Sequence, residues 1–480
     1  MSNPKRQHPM MILTGVIAQL KGLIWPIVLV LLARTLGSNP DEPFFDRFTL
    51  IITGVTLGGT LLFSVLRWLF FTYRYDHDII EIKSGVFIKK ERKIKRERIQ
   101  AISLDTHVIL KYLGLTSLNV ETAGNLNEAE VKINVLTLLE ATQLKQTLQH
   151  NGQPTEDAPS APPNMVEVDT NTLFLAGLTS GGVGVMSLGV LFFGFQIFGI
   201  IDAVTVDFTA TWQLVLAAMI ALFLVLLLGW ILSIIKYVLQ YAAFTLQREN
   251  QELTITRGLI RKKEVVLSLD RVQAIQLIQG LIRQPLGYLT IEAKVAGARS
   301  DDAVSATVLH PLIHEREVPA FMASLFPQYV LPQTMTSSPK RARVRYLFRA
   351  SWLYIVLTPL YFFVPQALFI LLLWLPSVAL AVLKHRAAAV SLSEDQLTLR
   401  YRNVAKSTLL VPRHHIQALT FQANPLQRWR KLKDVGLYVL SAPSPTYASV
   451  RDLELSVTDG LYEAFAHRKE ADPLKTEAST

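Results

Sequence analysis

The side chains of this chain that could do chemistry are few, and most of them are cationic. Residues 89 to 98 hold seven basic and two acidic side chains in ten positions. On a strand, alternation would put Lys89, Lys93 and Lys95 on one face with Glu91 and Glu97. Lys90, Arg92, Arg96 and Arg98 would share the other face with Ile94 and no acid. That second face is the purer cationic surface and the candidate for anionic lipid headgroups or a partner, each basic side chain near a membrane surface contributing about 1 kcal/mol. The competing reading is a solvated strand face that only helps to fix topology. Arg261, Lys262 and Lys263 form a second, smaller cluster of the same kind.

Catalytic and metal-binding patterns are thin. His310 and His314 stand four apart, but Pro311 lies between them and no third ligand is near in sequence. His414 and His415 are adjacent, so on a strand their side chains point to opposite faces. The chain has no cysteine, which excludes disulfides, thiolate metal sites and a cysteine nucleophile. It carries no G-x-S-x-G, no phosphate-binding G-x-x-x-x-G-K and no H-E-x-x-H. These absences lead us to expect no enzyme activity, no metal and no cofactor. Basic residues flanking apolar segments have an adequate explanation without nucleic acid, which is not expected as a partner.

The elements that must position these residues begin with apolar segments. Half of the 480 residues are hydrophobic and 18% are charged, against roughly 25% in an ordinary soluble domain. Apolar stretches fall at residues 10–33, 48–71, 173–201, 213–235, 347–364 and 366–383. A bilayer-spanning helix needs about 20 mostly apolar residues, so the six read as three pairs of spans. Lys21 in the first is read as snorkelling from an interfacial turn. Lys340, Arg341, Arg343, Arg345 and Arg349 crowd the start of the fifth stretch, whereas Asp202 and Asp207 are the charges between the third and fourth. The asymmetry places both termini and the large polar segments in the cytoplasm of a bacterial inner-membrane, multi-pass protein.

The polar segments repeat one another. Gly85 precedes Arg98 by 13 residues and Gly258 precedes Arg271 by 13; from each arginine to the next glycine, Gly114 or Gly287, is 16. Both arginines open an R-[IV]-Q-A-I run. A third copy, degenerate, reads His415-Ile416-Gln417-Ala418-Leu419, with Arg402 in place of the hairpin glycine. Its later glycine is read as Gly436, after a longer insertion over residues 422–435. Gly85 and Gly258 suit tight hairpins in which glycine takes a positive φ. Arg98 and Arg271 are read as strand residues with a packing role. Each copy should hold six or seven short strands and close with a helix, at residues 137–148, 312–325 and 460–468. The expected organisation is a transmembrane pair at 10–71 and a first domain at 72–150. A Pro-rich linker at 151–170, a second pair at 171–235 and a second domain at 236–330 come next. After a linker at 331–345 follow a third pair at 346–383, a third domain at 384–470 and a tail at 471–480.

With Arg6-Gln7-His8-Pro9 before the first span, the three [RH]-[IV]-Q-A-[IL] runs, Leu113-Gly114 and Asn424-Pro425-Leu426-Gln427, the chain resembles the bacterial pleckstrin-homology-like membrane proteins of the second bacterial PH subfamily, in their large, YdbT-type form. The resemblance implies three PH-like domains, each two near-orthogonal antiparallel sheets with a C-terminal capping helix, and no established catalytic activity. The fold class expected is therefore an α+β membrane protein: six transmembrane helices in three pairs, each pair followed by a PH-like antiparallel barrel or sandwich. The function expected is a non-catalytic membrane scaffold that binds anionic lipid headgroups, peptides or partner proteins, as a homo- or hetero-oligomer. The resemblance also suggests a smaller membrane protein with a single such domain as partner. The alternative is a transport or envelope-stress and antimicrobial-resistance component acting through its spans. Against it, spans two to six carry almost no ionisable residue near mid-bilayer.

Overall fold

The computed structural model describes residues 4–17, 19, 47–75, 79–95, 99–122, 130–148, 164–180, 212–296, 308–357, 374–441 and 444–466. The first copy opens with a short helix at residues 11–17, α1. It continues through α2 (Arg47–Leu69), β1 (Thr72–Tyr75), β2 (Ile79–Ser84), β3 (Lys90–Lys95) and β4 (Ile99–His107) to α3 (Val108–Tyr112), β5 (Leu115–Thr122), β6 (Glu130–Thr137) and α4 (Leu138–Leu148). The second copy runs β7 (Asn164–Glu167), α5 (Thr170–Leu178), α6 (Trp212–Tyr241), β8 (Thr245–Glu249), β9 (Glu252–Arg257), β10 (Arg261–Ser268), β11 (Val272–Gln279), β12 (Tyr288–Val295), β13 (Val308–His314) and α7 (Val318–Leu325). The third runs β14 (Thr336–Ser337), α8 (Arg343–Leu357), α9 (Trp374–Ala387), β15 (Ala389–Leu392), β16 (Gln396–Arg402), β17 (Lys406–Pro412), β18 (Ile416–Gln422), α10 (Pro425–Trp429), β19 (Leu432–Val439), β20 (Thr446–Glu454) and α11 (Leu455–Ala466).

The chain divides into two compact units: residues 1–161 with 260–267, and residues 162–259 with 268–480. In the first unit, β1, β2 and β3 form an antiparallel meander, and β4, β5 and β6 form a second. Alternation turns Ile80, Ile82, Ile102, Leu104, Leu118 and Val120 inward onto one core. Ala141, Leu144 and Leu148, spaced three and four apart, give α4 the apolar stripe that caps it. In the second unit, β7, β8 and β9 pair in order, β13 to β17 belong to one seven-stranded sheet with β11 and β12, and β18, β19 and β20 make a separate meander. The third copy has its own core of Leu397, Leu399, Leu409, Val411, Val435 and Leu437, with Leu461 supplied by α11.

The joints between copies are made by strand pairing in a fixed register, β10 and β17 keeping β9 and β16 of their own copies as neighbours on the other side. β4 has β5 on one side and β10, the third strand of the second copy, on the other, with Val266 opposite Ile102. β11 has β12 on one side and β17, the third strand of the third copy, on the other, with Leu410 opposite Ile275. Ile102 and Ile275 each stand four residues after the repeat arginine; Val266 and Leu410 each stand five before Arg271 or His415. The two joints are therefore the same joint.

Several expectations need adjusting. The capping helices begin at Leu138, Val318 and Leu455, because residues 312–314 belong to β13 and residues 455–459 are already helical. The third copy, though it lacks the hairpin glycine, has the same two meanders as the first. Of the expected spans, residues 20–46, 181–211 and 358–373 lie outside the described residues. Within α6, residues Phe223–Tyr241 are long and apolar enough to cross a bilayer, and among the described residues no other helix meets that test in full. α5 packs on α6, with Gly177 against Ile234 and the Trp230 indole donating to the Leu178 carbonyl at 3.3 Å. α9 meets α8 likewise, Trp374 donating to the Ser351 hydroxyl at 3.0 Å.

Candidate functional site

The basic strand of the first copy is the last strand of its sheet, with β2 as its neighbour. Its described even-numbered side chains, Lys90, Arg92 and Ile94, do not share one free cationic face of the kind simple alternation suggested. Ile94 packs on the core and Arg92 is half-buried, while Lys90, Glu91, Lys93 and Lys95 are exposed. The outward face is therefore the odd one, and it is mixed. Lys83 and Lys93 each approach Glu81 and Glu91, at 3.4 to 3.9 Å. Arg74 ion-pairs with the buried Glu81. A hydrogen bond with the Glu91 carboxyl and the Arg74 guanidinium hold the Glu81 carboxyl down at about 2. Arg96 and Arg98 lie outside the described residues.

The second basic cluster is spent at the joint. The Arg261 guanidinium grips the Asp105 carboxylate of β4 with two donors, and that carboxylate is 1% exposed. Lys263 is buried, and of the three only Lys262 is fully exposed. Lys145 of α4 adds an ion pair to Glu264. These residues bind one copy to the next. Arg271, the repeat arginine of the second copy, is half-buried at the end of a 3₁₀ turn, where its carbonyl accepts from the Ala296 amide at 3.0 Å.

The repeat glycines behave as turn residues. Gly85, Gly258, Gly114 and Gly287 have φ of +116°, +100°, +65° and +70°. At Gly85 a Cβ would meet the Ile88 carbonyl oxygen at 1.9 Å. In the third copy the equivalent of Gly114 and Gly287 is not Gly436 but Lys431, which stands 16 residues after His415 and takes φ +52°. The hydrogen bonds agree: Leu138, Glu315 and Leu455 each donate an amide to the carbonyl of Gly114, Gly287 or Lys431. Hence residues 422–435 hold no insertion. Gly436 instead lies in β19, where a Cβ would strike the Thr420 hydroxyl at 2.3 Å.

Twelve residues after each repeat arginine or histidine lies a position that the motif reading passed over: Leu110, Arg283 and Gln427. Each holds a neighbouring helix or helix start on its own domain. Leu110 is buried with Met11 and Val135, and Trp68 packs beside them. Arg283, buried, donates to the Ala176 carbonyl at 2.9 Å and the Thr179 hydroxyl at 3.0 Å, at the end of α5. Gln427 donates to Asp434 at 2.6 Å and Asp452 at 2.9 Å. Asp452, wholly buried, in turn pairs with Arg345 at 2.8 Å and with Arg349, both on α8. Burial, foremost, pushes the Asp434 carboxyl upward. Arg341 adds an ion pair to Glu454 at 2.7 Å, so three of the five cations assigned to topology also clamp α8 and its approach. The constant spacing was the available signal; the change of chemistry from Leu to Arg to Gln concealed it.

A cleft of about 520 Å³ in the second copy is lined by Glu167, Asp169, Thr172, His310, His314 and Glu317, among others. His310 is pushed down to about 4 by burial and packs edge-on against Phe321. Among the described residues, no group of three or more His, Asp or Glu side chains could hold a metal ion.

Residues 19–152, 193–326 and 351–468 match the family described as Bacterial PH domain. The UPF0699 transmembrane protein YdbT of Bacillus subtilis (strain 168) is 28% identical over 486 residues, which cover 94% of this chain and 96% of that protein. No solved structure matches the chain. The family match recurs once per structural copy and takes in most of the sequence; the chain belongs to the bacterial PH domain family.

Proposed function

We propose that this chain is a non-catalytic membrane scaffold that links three PH-like domains in series and offers them to lipid headgroups, peptides and partner proteins. The carrying observation is the repeated joint, β10 on β4 and β17 on β11 in one register. A chain that spends buried ion pairs and whole strands on linking its domains is built to keep surfaces in register. Membrane attachment is supported by the name of the transmembrane relative and by the apolar window Phe223–Tyr241. The spans are six in three pairs, with both termini and the linkers cytoplasmic, and a smaller single-domain membrane protein is the natural partner class. Anionic headgroups would meet the exposed Lys90, Lys93 and Lys95 of β3.

The test is lipid composition. The full chain, extracted in mild detergent, is analysed by mass spectrometry for co-purifying lipids beside a Lys90→Gln, Lys93→Gln, Lys95→Gln variant. Wild type should be enriched in anionic lipid over the bulk membrane, and the variant should lose most of that enrichment. Equal anionic lipid in both would remove β3 from headgroup binding. For topology, cysteines placed at Asn151, Leu331 and Thr480 of the cysteine-free chain should resist a membrane-impermeant thiol reagent in intact cells; labelling at any of them would overturn the orientation.

A further inference from the structure

Each fourth strand in the series has the same two needs, and one of the three has only one of them met. β4 is flanked by β5 and β10, and β11 by β12 and β17, but among the described residues β18 ends its sheet with β19 alone. An open edge with free backbone donors and acceptors is a template for another strand unless charge, proline or a bulge blocks it. β18 carries no charged residue and no proline from Ile416 to Gln422, and its irregularity between Ile416 and Ala418 recurs at the equivalent place in β4 and β11, both of which take a neighbour there.

Composition along the series separates strands that are covered from strands that are not. Third strands β10 and β17, laid on a neighbour, carry Val265-Val266-Leu267 and Leu409-Leu410-Val411, all buried. Their uncovered counterpart β3 carries Arg92-Lys93-Ile94 at the same places. Where no neighbour lies against a strand, charge has replaced apolar side chains. By that standard β18 has the composition of a covered strand. Its Ala418 is exposed, whereas the equivalent Ala274 of β11 is wholly buried. Leu419 and Phe421 are only half-buried, and Tyr462, edge-on to Phe421, is 60% exposed.

We infer that β18 is the docking edge for a PH-like domain carried on a separate polypeptide, which adds its third strand antiparallel to β18 in the register of the two internal joints. The occupant follows from continuity with those joints: both filled fourth strands take a third strand, in one register. This chain's own remaining third strand, β3, is the wrong one. It would bring Arg92 and Lys93 to positions where both joints bury Val265-Val266 or Leu409-Leu410, and burying unpaired charge is heavily penalised. The partner's third strand is therefore apolar at these places, like β10 and β17. This deepens the partner side of the proposed function, and headgroup binding at β3 stands or falls separately.

The absence of native cysteine makes the register directly readable. Ala418 is the counterpart of Ala101, which faces Leu267 in the first joint; the counterpart of Leu267 in the third copy is Val411. The full chain carrying Ala418→Cys, an exposed position whose change leaves the domain intact, is incubated in detergent under mild oxidation with three synthetic peptides. The first has the sequence of residues 404–412 with Val411→Cys, a surrogate for the partner strand. The second is the same peptide with Ser407→Cys instead, out of register. The third has the basic sequence of residues 87–95 with Ile94→Cys. The first should form its disulfide about tenfold faster than the other two, since the rate follows access and geometry. Equal rates for the first two peptides, or no disulfide with any, would remove β18 as a register-specific edge. A fast third peptide would make the occupant a second copy of this chain, and a rapid disulfide dimer of the variant alone would make it β18 of that copy; either overturns the separate partner.

Discussion

β3 and β10 occupy the same place in successive copies and have opposite characters. Lys262-Lys263-Glu264 matches Lys89-Lys90-Glu91 closely, and then the strands diverge, to Val265-Val266-Leu267 in one and Arg92-Lys93-Ile94 in the other. The difference is one of neighbours. β10 lies on β4 and has both faces buried; β3 ends its sheet and faces water on one. A basic strand here is thus a sheet edge kept from unwanted pairing.

Placing the β3 residue in a joint should have the largest effect. Val266→Lys or Leu410→Lys puts an uncompensated charge into a closed position, at a cost of about 3–5 kcal/mol. Denaturant unfolding of the detergent-solubilised chain measures it. The reverse exchange, Lys93→Val, should change stability by less than about 0.5 kcal/mol, as at an ordinary surface site. A similar loss from both exchanges would end the contrast between joint and edge. Arg261→Gln should likewise cost about 3 kcal/mol by stranding the Asp105 carboxylate, and adding Asp105→Asn should return most of it.

Acid should tell the copies apart. His310 sits across the ladder from Ile291, where the first copy has Ile133 opposite Leu118 and the third has Val450 opposite Val435. Its folded pKa of about 4 lies below the unfolded value of 6.5, so the unfolded chain binds the proton first. Stability of the second copy should be complete above pH 6.5 and fall by up to about 3 kcal/mol as pH drops toward 4. His310→Ile should flatten that slope. An unchanged slope, followed by thermal melting against pH, would put the acid sensitivity elsewhere. The smallest effect concerns the left-handed turn. Gly114→Ala should cost about 1 kcal/mol, whereas Lys431→Gly, already at φ +52°, should be neutral or stabilising by a similar amount. A costly Lys431→Gly would show that its side chain, not its backbone, is needed.

Much of the fold was legible because it repeats. Gly85, Gly258 and the R-[IV]-Q-A-I runs marked two copies by spacing alone, and the positive φ expected at Gly85 and Gly258 is found, with Gly114 and Gly287 added by the structure. The third copy was misread at Gly436 because residue type was followed there in place of spacing; Lys431 pays the left-handed strain that glycine avoids. The joints were not read, although the apolar Val265-Val266-Leu267 and Leu409-Leu410-Val411 runs mark strands covered on both sides, because nothing local names the strand that covers them. Nor was the clamp on α8. Asp452 is an unremarkable acid in sequence, and only tertiary packing brings it to Arg345 and Arg349. Simple alternation also misled at β3, where Ile94 shows that the even face turns toward the core.

The central claim is that β10 and β17, besides pairing with the second strand of their own copy, each pair with the fourth strand of the preceding copy, and cysteine pairs test it most directly. Opposed residues in antiparallel strands lie about 4.5–5.5 Å apart at Cα, within disulfide reach. In the cysteine-free chain, Val266→Cys with Ile102→Cys, and Leu410→Cys with Ile275→Cys, should each yield a linked peptide pair by mass spectrometry after mild oxidation and digestion. Val266→Cys with Ile275→Cys, which would pair the third strand with the fourth strand of its own copy, should yield none. The opposite pattern, linkage only between the third and fourth strands of one copy, would contradict the joints and the scaffold built on them.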